Sequence, residues 1–284
     1  IAASGGNIHR IHRLSRFPVW SYEFMVEGAD LEKLQASVMD VAAQEQIDVA
    51  IQPHDLSRRS SRLVVLDVDS TLIRNEVIDL LGTEAGHRDE VARLTERAML
   101  GDIDYVEALR ERVALLKGAE EDIIERSISK MILTAGGRTF IRTLKRLGYK
   151  VAIISGGFSP FTDHLARELD LDHAYSNTLQ VVDGVLTGEV EGEIIDADRK
   201  AKLLEDIAVQ EGIPLEQTVA IGDGANDLPM LKKAGLGIAF NAKPALREAA
   251  DTAINVPYLD AILFMLGVSR EEVEAADALD ANFQ

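Results

Sequence analysis

Two patterns of apolar and polar positions follow one another along this chain. From Ile8 to Arg16, apolar residues alternate with His and Arg, the period of a strand with one covered face. Val19 to Val26 alternates in the same way and sets Trp20, Tyr22 and Phe24 on one side. Gly28-Ala29-Asp30 then supplies a turn and an N-cap. The spacing of Leu31, Leu34, Val38 and Val41 predicts a helix from Leu31 to about Gln46. Val49 to Gln52 is a third, short strand candidate, and Pro53 to Ser61 has the Pro, Ser, Asp and Arg content of a linker.

From Leu63 the period changes. Leu63-Val64-Val65-Leu66 is a continuous apolar run, as expected of a strand covered on both faces. Lys150–Ser155 and Gln217–Gly222 repeat the pattern, each behind a helical stretch (Thr139–Leu147, Arg199–Glu211), and Gly235–Phe240 and Thr252–Asn255 are weaker strands. Alternating strands and helices predict an α/β fold with a doubly wound parallel sheet. Between the first two strands, Glu76–Leu81, His87–Leu100, Tyr105–Leu116 and Glu120–Met131 all carry helical spacing. This block predicts an all-helical cap over about 75–131, inserted beside the strand ends. Asn177–Gly192 predicts a β-hairpin, and the acidic, Ala-containing end from Glu271 a fraying helix. The organisation expected is a small α+β unit over 1–57 and an α/β domain over 58–284.

Composition narrows the chemistry. A formal charge of −18 disfavours nucleic acid, whose phosphates need clustered Lys and Arg, but leaves room for a small anion held by local cations. With no Cys, disulfides, thiolate metal sites and Cys nucleophiles are excluded. No apolar run approaches the roughly 20 residues of a spanning helix, so no membrane partner is expected. Ile1-Ala-Ala-Ser-Gly-Gly lacks the charged and apolar regions of a signal peptide, and the cytoplasm is the expected location.

Four stretches at or just past strand ends bear chemistry. In Asp67-Val-Asp69-Ser-Thr71, two acids end the first α/β strand, where an unpaired charge is costly. A bound cation, catalysis or a plain helix cap would each account for them. A calcium loop does not, because Leu72 stands where that loop needs Gly. A glycosyltransferase-like pair holding a nucleotide metal fits this stretch alone. Ser155-Gly156-Gly157 offers an anion nest or an ordinary turn. Lys200 opens a helix, with Lys202 as its rival. Gly222-Asp223-Gly-Ala-Asn226-Asp227 is a second acidic cluster; beside Asp67 and Asp69 it would make an oxygen-rich site suited to Mg²⁺.

Taken in this order, acid-x-acid-x-Thr, Ser, Lys and Gly-Asp-Gly-x-x-Asp resemble the haloacid dehalogenase-like phosphohydrolases over residues 62–260. Asp67-Val-Asp-Ser-Thr-Leu-Ile-Arg-Asn-Glu76, Leu109-Arg-Glu-Arg112, Ser155-Gly-Gly-Phe158 and Gly222–Asp227 are most similar to the phosphoserine phosphatase family. The resemblance implies hydrolysis of O-phospho-L-serine through an aspartyl-phosphate, the last step of serine biosynthesis. It implies a nucleophile at Asp67, an acid/base at Asp69, and phosphate ligands at Ser155, Gly156 and Lys200. It implies Mg²⁺ on Asp67, the Asp69 backbone and Asp223, with Thr71 shaping the loop and Asn226 and Asp227 in support, Asn226 on the substrate side. In the cap, Glu76 suits the substrate ammonium and Arg112, with Arg110 as rival, its carboxylate, while Met99 and Tyr105 close over it.

The first 57 residues resemble part of an ACT domain, short of its first strand and helix. That implies a regulatory or dimerising unit, a homodimer, and serine as feedback ligand. Two other functions remain open at this point. One is a related phosphomonoesterase or phosphotransferase with another small substrate, which only Glu76, Arg112 and the cap would distinguish. The other is an amino-acid-sensing regulator with a vestigial catalytic fold.

Overall fold

The computed structural model describes residues 1–54, 62–100 and 102–281. Strands β1 (Asn7–Ser15) and β2 (Ser21–Glu27) form an antiparallel two-stranded sheet, followed by helix α1 (Leu31–Glu45). Asp30 caps α1 by accepting a bond from the Lys33 amide at 3.1 Å. As the alternation predicts, Trp20 and Tyr22 share a side: their rings stack with centroids 6.3 Å apart. That side faces solvent, with Trp20 69% exposed. The other side supplies Leu14 to the main core.

The strand expected at Val49–Gln52 does not form. This stretch lies along the last strand of the large sheet, joined to it by side chains instead of a backbone ladder. Thr252 Oγ1 donates to the Val49 carbonyl at 3.1 Å, and the Asn255 amide to Asp48 at 2.8 Å. Gln52 reaches the Met265 carbonyl at 3.3 Å. The expected linker at Pro53–Ser61 lies almost wholly outside the described residues.

The α/β unit begins with β3 (Leu63–Leu66). The cap follows: α2 (Val77–Glu84), α3 (Arg88–Leu100), α4 (Tyr105–Ala114) and α5 (Asp122–Ile128). Then come α6 (Gly137–Arg146), β4 (Lys150–Phe158), α7 (Ser159–Leu169), and the hairpin of β5 (His173–Val182) and β6 (Val185–Glu191). After it lie α8 (Ala197–Glu211), β7 (Thr218–Gly222), α9 (Leu228–Lys233), β8 (Leu236–Phe240), α10 (Pro244–Ala249), β9 (Thr252–Ile254), α11 (Ile262–Met265) and α12 (Arg270–Ala281).

The sheet order is β6-β5-β4-β3-β7-β8-β9, parallel except for β6. β3 therefore sits where the chain reverses its direction of travel across the sheet. Its neighbours β4 and β7 belong to opposite halves, and the crevice between their ends is where such sheets bind ligands. Alternate residues of β3 enter two cores. Val64 and Leu66 pack with the cap side chains Val77, Leu81, Leu109 and Leu116, and Leu63 and Val65 pack with Leu203, Leu204 and Ile207 of α8. Both faces of β3 are covered, which is why its sequence is continuously apolar.

The cap leaves and re-enters the α/β unit at adjacent points. Ile73 and Leu133 form an antiparallel bridge, and Thr134 Oγ1 donates to the Thr71 carbonyl at 2.6 Å. The stretch Ser155–Phe158, read from the sequence as an anion nest or an ordinary turn after the strand, stays extended within β4. The β4–β5 register slips between Ile154 and Phe158, so these residues bulge out of regular pairing.

Candidate active site

The register of the sheet brings the site together. Leu66 lies level with Ile153 on β4 and with Ile221 on β7. Asp67, Ser155 and Asp223 therefore leave the same edge within two residues of one another. After Asp67 the chain makes a five-residue turn, Val68–Leu72, closed by the Ile73 amide on the Val68 carbonyl at 3.0 Å. Ser70 sits in the turn at φ 59°, the left-handed region. Asp69 itself is extended and faces β4, and the turn at Ser70 brings the following chain back over it. Its Oδ1 accepts from the Val77 amide at 2.6 Å and its Oδ2 from Ser155 Oγ at 3.0 Å.

Lys200 is completely buried, and its Nζ bridges Asp67 Oδ1 at 2.5 Å and Asp227 Oδ1 at 2.7 Å. Asp196 caps α8 at the Arg199 amide, 2.8 Å, and this fixes the turn from which Lys200 projects. The rival Lys202 is exposed and paired with Glu205 and Asp206. Asp227 also accepts the Gly224 amide at 3.1 Å, and a Cβ on Gly222 would stand 2.4 Å from its carboxyl carbon. Glycine at 222 is thus required by the close approach of Asp227. Thr71 Oγ1 lies 3.4 Å from Asp223 Oδ1. Asn226 lies in the turn between the two acids, half-buried beside Gly224.

Asp67, Asp223 and Asp227 each present an oxygen within 4.8 Å of the others. With Asp69 they bring four carboxylates to one buried cation. Burial foremost, then the charge of Asp227, holds the Asp67 carboxyl well above the usual range despite Lys200. Burial also raises Asp69, opposed by the bonds from Val77 and Ser155. Asp223 moves from its usual 3.8 to about 6, through burial and then Asp227. Lys200 is raised because both acids outweigh its burial. Hard oxygen donors in negative excess fit a divalent cation such as Mg²⁺ or Mn²⁺.

The cap side chains stand over this edge. Glu76 lies at the open mouth of the site and accepts from Ser70 Oγ at 2.7 Å. Desolvation by the surrounding protein, then the charge of Asp69, raises its carboxyl to about 7. Tyr105 points its hydroxyl at the Gly156 carbonyl, 3.4 Å away, and burial pushes it up to about 12. A Cβ on Gly156 would stand 2.1 Å from that hydroxyl. Arg112 bonds the Ala108 carbonyl at 3.2 Å and Thr95 Oγ1 at 3.4 Å, and its charge reaches Asp69 and Asp79. Arg110 is exposed. Met99 lies in α3, its side chain outside the described residues. Ser70 escapes a reading of the sequence as a site residue. Only its place directly after the two acids and two residues ahead of Leu72-Ile73-Arg74 hints at a turn there.

The haloacid dehalogenase-like hydrolase family model matches residues 64–232, and an ACT domain model matches residues 1–52. The chain belongs to the haloacid dehalogenase-like hydrolases. Within this family it is 54% identical to a phosphoserine phosphatase of Streptomyces coelicolor, across 98% of this chain and 68% of that protein. Two solved structures, a phospho-aspartyl intermediate analogue of phosphoserine phosphatase and a substrate-bound phosphoserine phosphatase complex, each superpose with a TM-score of 0.68. Each is 47% identical, over 72% of this chain and 97% of theirs. Membership makes the edge of β3 the place to look for catalysis.

The raised carboxyls fix a sign for the response to metal and pH. A group whose folded pKa exceeds its unfolded value binds protons more tightly when folded, so stability falls as pH rises between the two values. For Asp223 the window runs from 3.8 to about 6. Above it a divalent cation at Asp67, Asp223 and Asp227 would offset the charge left by the lost protons. Mg²⁺ at millimolar concentration is expected to raise the melting temperature at pH 8 and to have little effect at pH 4.5. Equal shifts at both pH values in a thermal melt would contradict this account.

Proposed function

We propose that the chain hydrolyses O-phospho-L-serine to L-serine and phosphate in two steps, with Mg²⁺ as cofactor. The observation that carries the reading is the buried Asp67–Lys200–Asp227 bridge set against an independently held Asp69. Both carboxyls are raised by burial, but Asp67 is bonded to the Lys200 ammonium, whereas Asp69 meets only the Val77 amide and the Ser155 hydroxyl, 3.0 Å away. That is the division of labour between a nucleophile and a general acid. Asp67 attacks phosphorus and forms an aspartyl-phosphate, and Asp69 protonates the departing serine oxygen. Asp69 then takes a proton from the water that releases phosphate. Lys200 and the Ser155 hydroxyl offset the negative charge of the phosphoryl group. The cation, held by Asp67, Asp223 and the Asp69 carbonyl with Asp227 in support, supplies charge neutralisation when bound.

The cap recognises the serine portion. Glu76 accepts the ammonium, Arg112 forks onto the carboxylate, and Tyr105 and Met99 cover it. A phosphotransferase with another small acceptor would share Asp67 and Asp69. The charge pair at Glu76 and Arg112 favours an amino acid phosphate. The 1–57 unit is a regulatory ACT-like module that binds serine as feedback ligand and joins two copies in a homodimer. Its exposed face of Trp20, Tyr22 and Phe24 supports the latter. No described helix is long and apolar enough to cross a membrane, and we place the protein in the cytoplasm.

Phosphate release from a panel of phosphomonoesters should be fastest for phosphoserine and stop with chelator. Asp67→Asn should lower kcat by about 10³-fold or more. Turnover that survives either treatment rejects the mechanism. Glu76 must be ionised to hold an ammonium, so kcat/KM for phosphoserine is expected to fall as pH drops through the window from 4.5 to about 7. The same limb should be missing for a phosphomonoester without an amino group. Trp20→Asp should convert a dimer to a monomer in sedimentation, and a persistent dimer removes that face from the interface.

A further inference from the structure

Asn177 is a polar residue that the chemistry above does not use, and it is 1% exposed. It lies in β5, whose neighbours on either side of it are half-buried or exposed. Its Nδ2 donates to the Gly156 carbonyl at 2.8 Å, and its Oδ1 accepts from the Ile195 amide at 2.8 Å. The partners force this orientation: a carbonyl only accepts, and an amide N–H only donates.

The Gly156 carbonyl belongs to the same peptide plane as the Gly157 amide. That amide donates to Ser155 Oγ at 2.8 Å. A planar peptide held at its oxygen is also held at its nitrogen. Glycine at 156 and 157 leaves this plane free to rotate unless something grips it. With the Gly157 N–H on its oxygen, the Ser155 hydroxyl has its own proton left for Asp69 Oδ2, 3.0 Å away. The order of influence runs from Asn177, through the 156–157 peptide and Ser155 Oγ, to the Asp69 carboxyl. The other end of the amide ties Ile195, and Asp196 after it caps the helix that carries Lys200.

We infer that Asn177 is a positioning residue for phosphoryl transfer: it fixes the peptide plane that aims the Ser155 hydroxyl at Asp69, and it anchors the approach to Lys200 from the same side chain. The inference rests on the phosphatase reading. It concerns the phosphate side of the site, not the serine side.

Asn177→Asp separates the two branches, because a carboxylate still accepts from Ile195 but opposes the Gly156 carbonyl. In the full chain with Mg²⁺, this variant is expected to lose about 10- to 100-fold in kcat, the scale of a misplaced reacting group. The loss should be similar for phosphoserine and for p-nitrophenyl phosphate, with KM for each changed by less than about threefold. In a Ser155→Ala background the same substitution should cost less than about threefold, because its effect passes through Ser155. Asn177→Ala should add the loss of the Ile195 tie. Assays run well below each variant's own melting temperature, so a fall in stability alone leaves kcat unmoved. A folded Asn177→Asp with kcat near wild type, a loss confined to phosphoserine, or costs that simply multiply in the double variant would each overturn the role. A wild-type chain that releases phosphate from neither substrate overturns the phosphatase reading itself, and this inference with it.

Discussion

The crowding of negative charge at the end of β3 is the constraint to which the rest of the α/β unit answers. Asp67, Asp69, Asp223 and Asp227 converge where water is largely excluded, and Lys200 is the buried cation that bridges two of them. Placing charges there is expensive, and pairing recovers the cost only with good geometry on both sides. The geometry is supplied from a distance. α8 must start at Ala197 for Lys200 to reach, β7 must end level with β3, and Gly222 must lack a side chain for Asp227 to enter. Several plain structural features of the unit are in this sense consequences of one electrostatic problem.

Solving it by burial has a chemical return. A carboxylate in water is a weak base and a poor acid near neutrality, and the same group in a dry, negatively charged pocket holds its proton to higher pH. Asp67 and Asp69 share the burial but not the partners. Asp67 meets an ammonium, whereas Asp69 meets an amide and a hydroxyl. Two identical side chains separated by one residue therefore acquire different roles through what surrounds them. The left-handed Ser70 contributes to the difference, since it returns the chain so that the Val77 amide reaches Asp69.

Much of this was legible in the sequence. The apolar run of β3, the alternation of strands and helices from Leu63 onward, and the helical block before Thr139 all report burial patterns that a linear reading detects. Asp67 and Asp223 were visible because charged residues at strand ends stand out, whereas Lys200 was set apart from its rival Lys202 only by the family resemblance. Besides Ser70, three features were not legible, each for a physical reason. Val49–Gln52 has the composition of a strand, but its neighbours on β9 bond it through side chains, and no periodicity reports that. Ser155–Phe158 has the glycines of a turn, yet β4 runs through it, because the bulge is decided by pairing with β5. Asn177 sits in an alternating strand among Ser, Thr and Gln, and its neighbours distinguish it only by contacts about 20 residues away in either direction.

The cap is joined to the α/β unit at points that touch. Ile73 pairs with Leu133, and Thr134 holds the Thr71 carbonyl, so the ends of the inserted segment already meet before any cap helix is considered. An insertion with touching ends imposes little on its host: the loop it closes adds a slowly growing entropy term and no strain on the sheet. Residues that choose the substrate and residues that break the phosphate ester thus sit on separately replaceable pieces of one chain. Selectivity can diverge by exchange of the segment between 74 and 132 while the carboxylates beneath it keep their places, provided a backbone amide still meets Asp69 where Val77 does, so the architecture itself separates the inheritance of a reaction from the inheritance of its substrate.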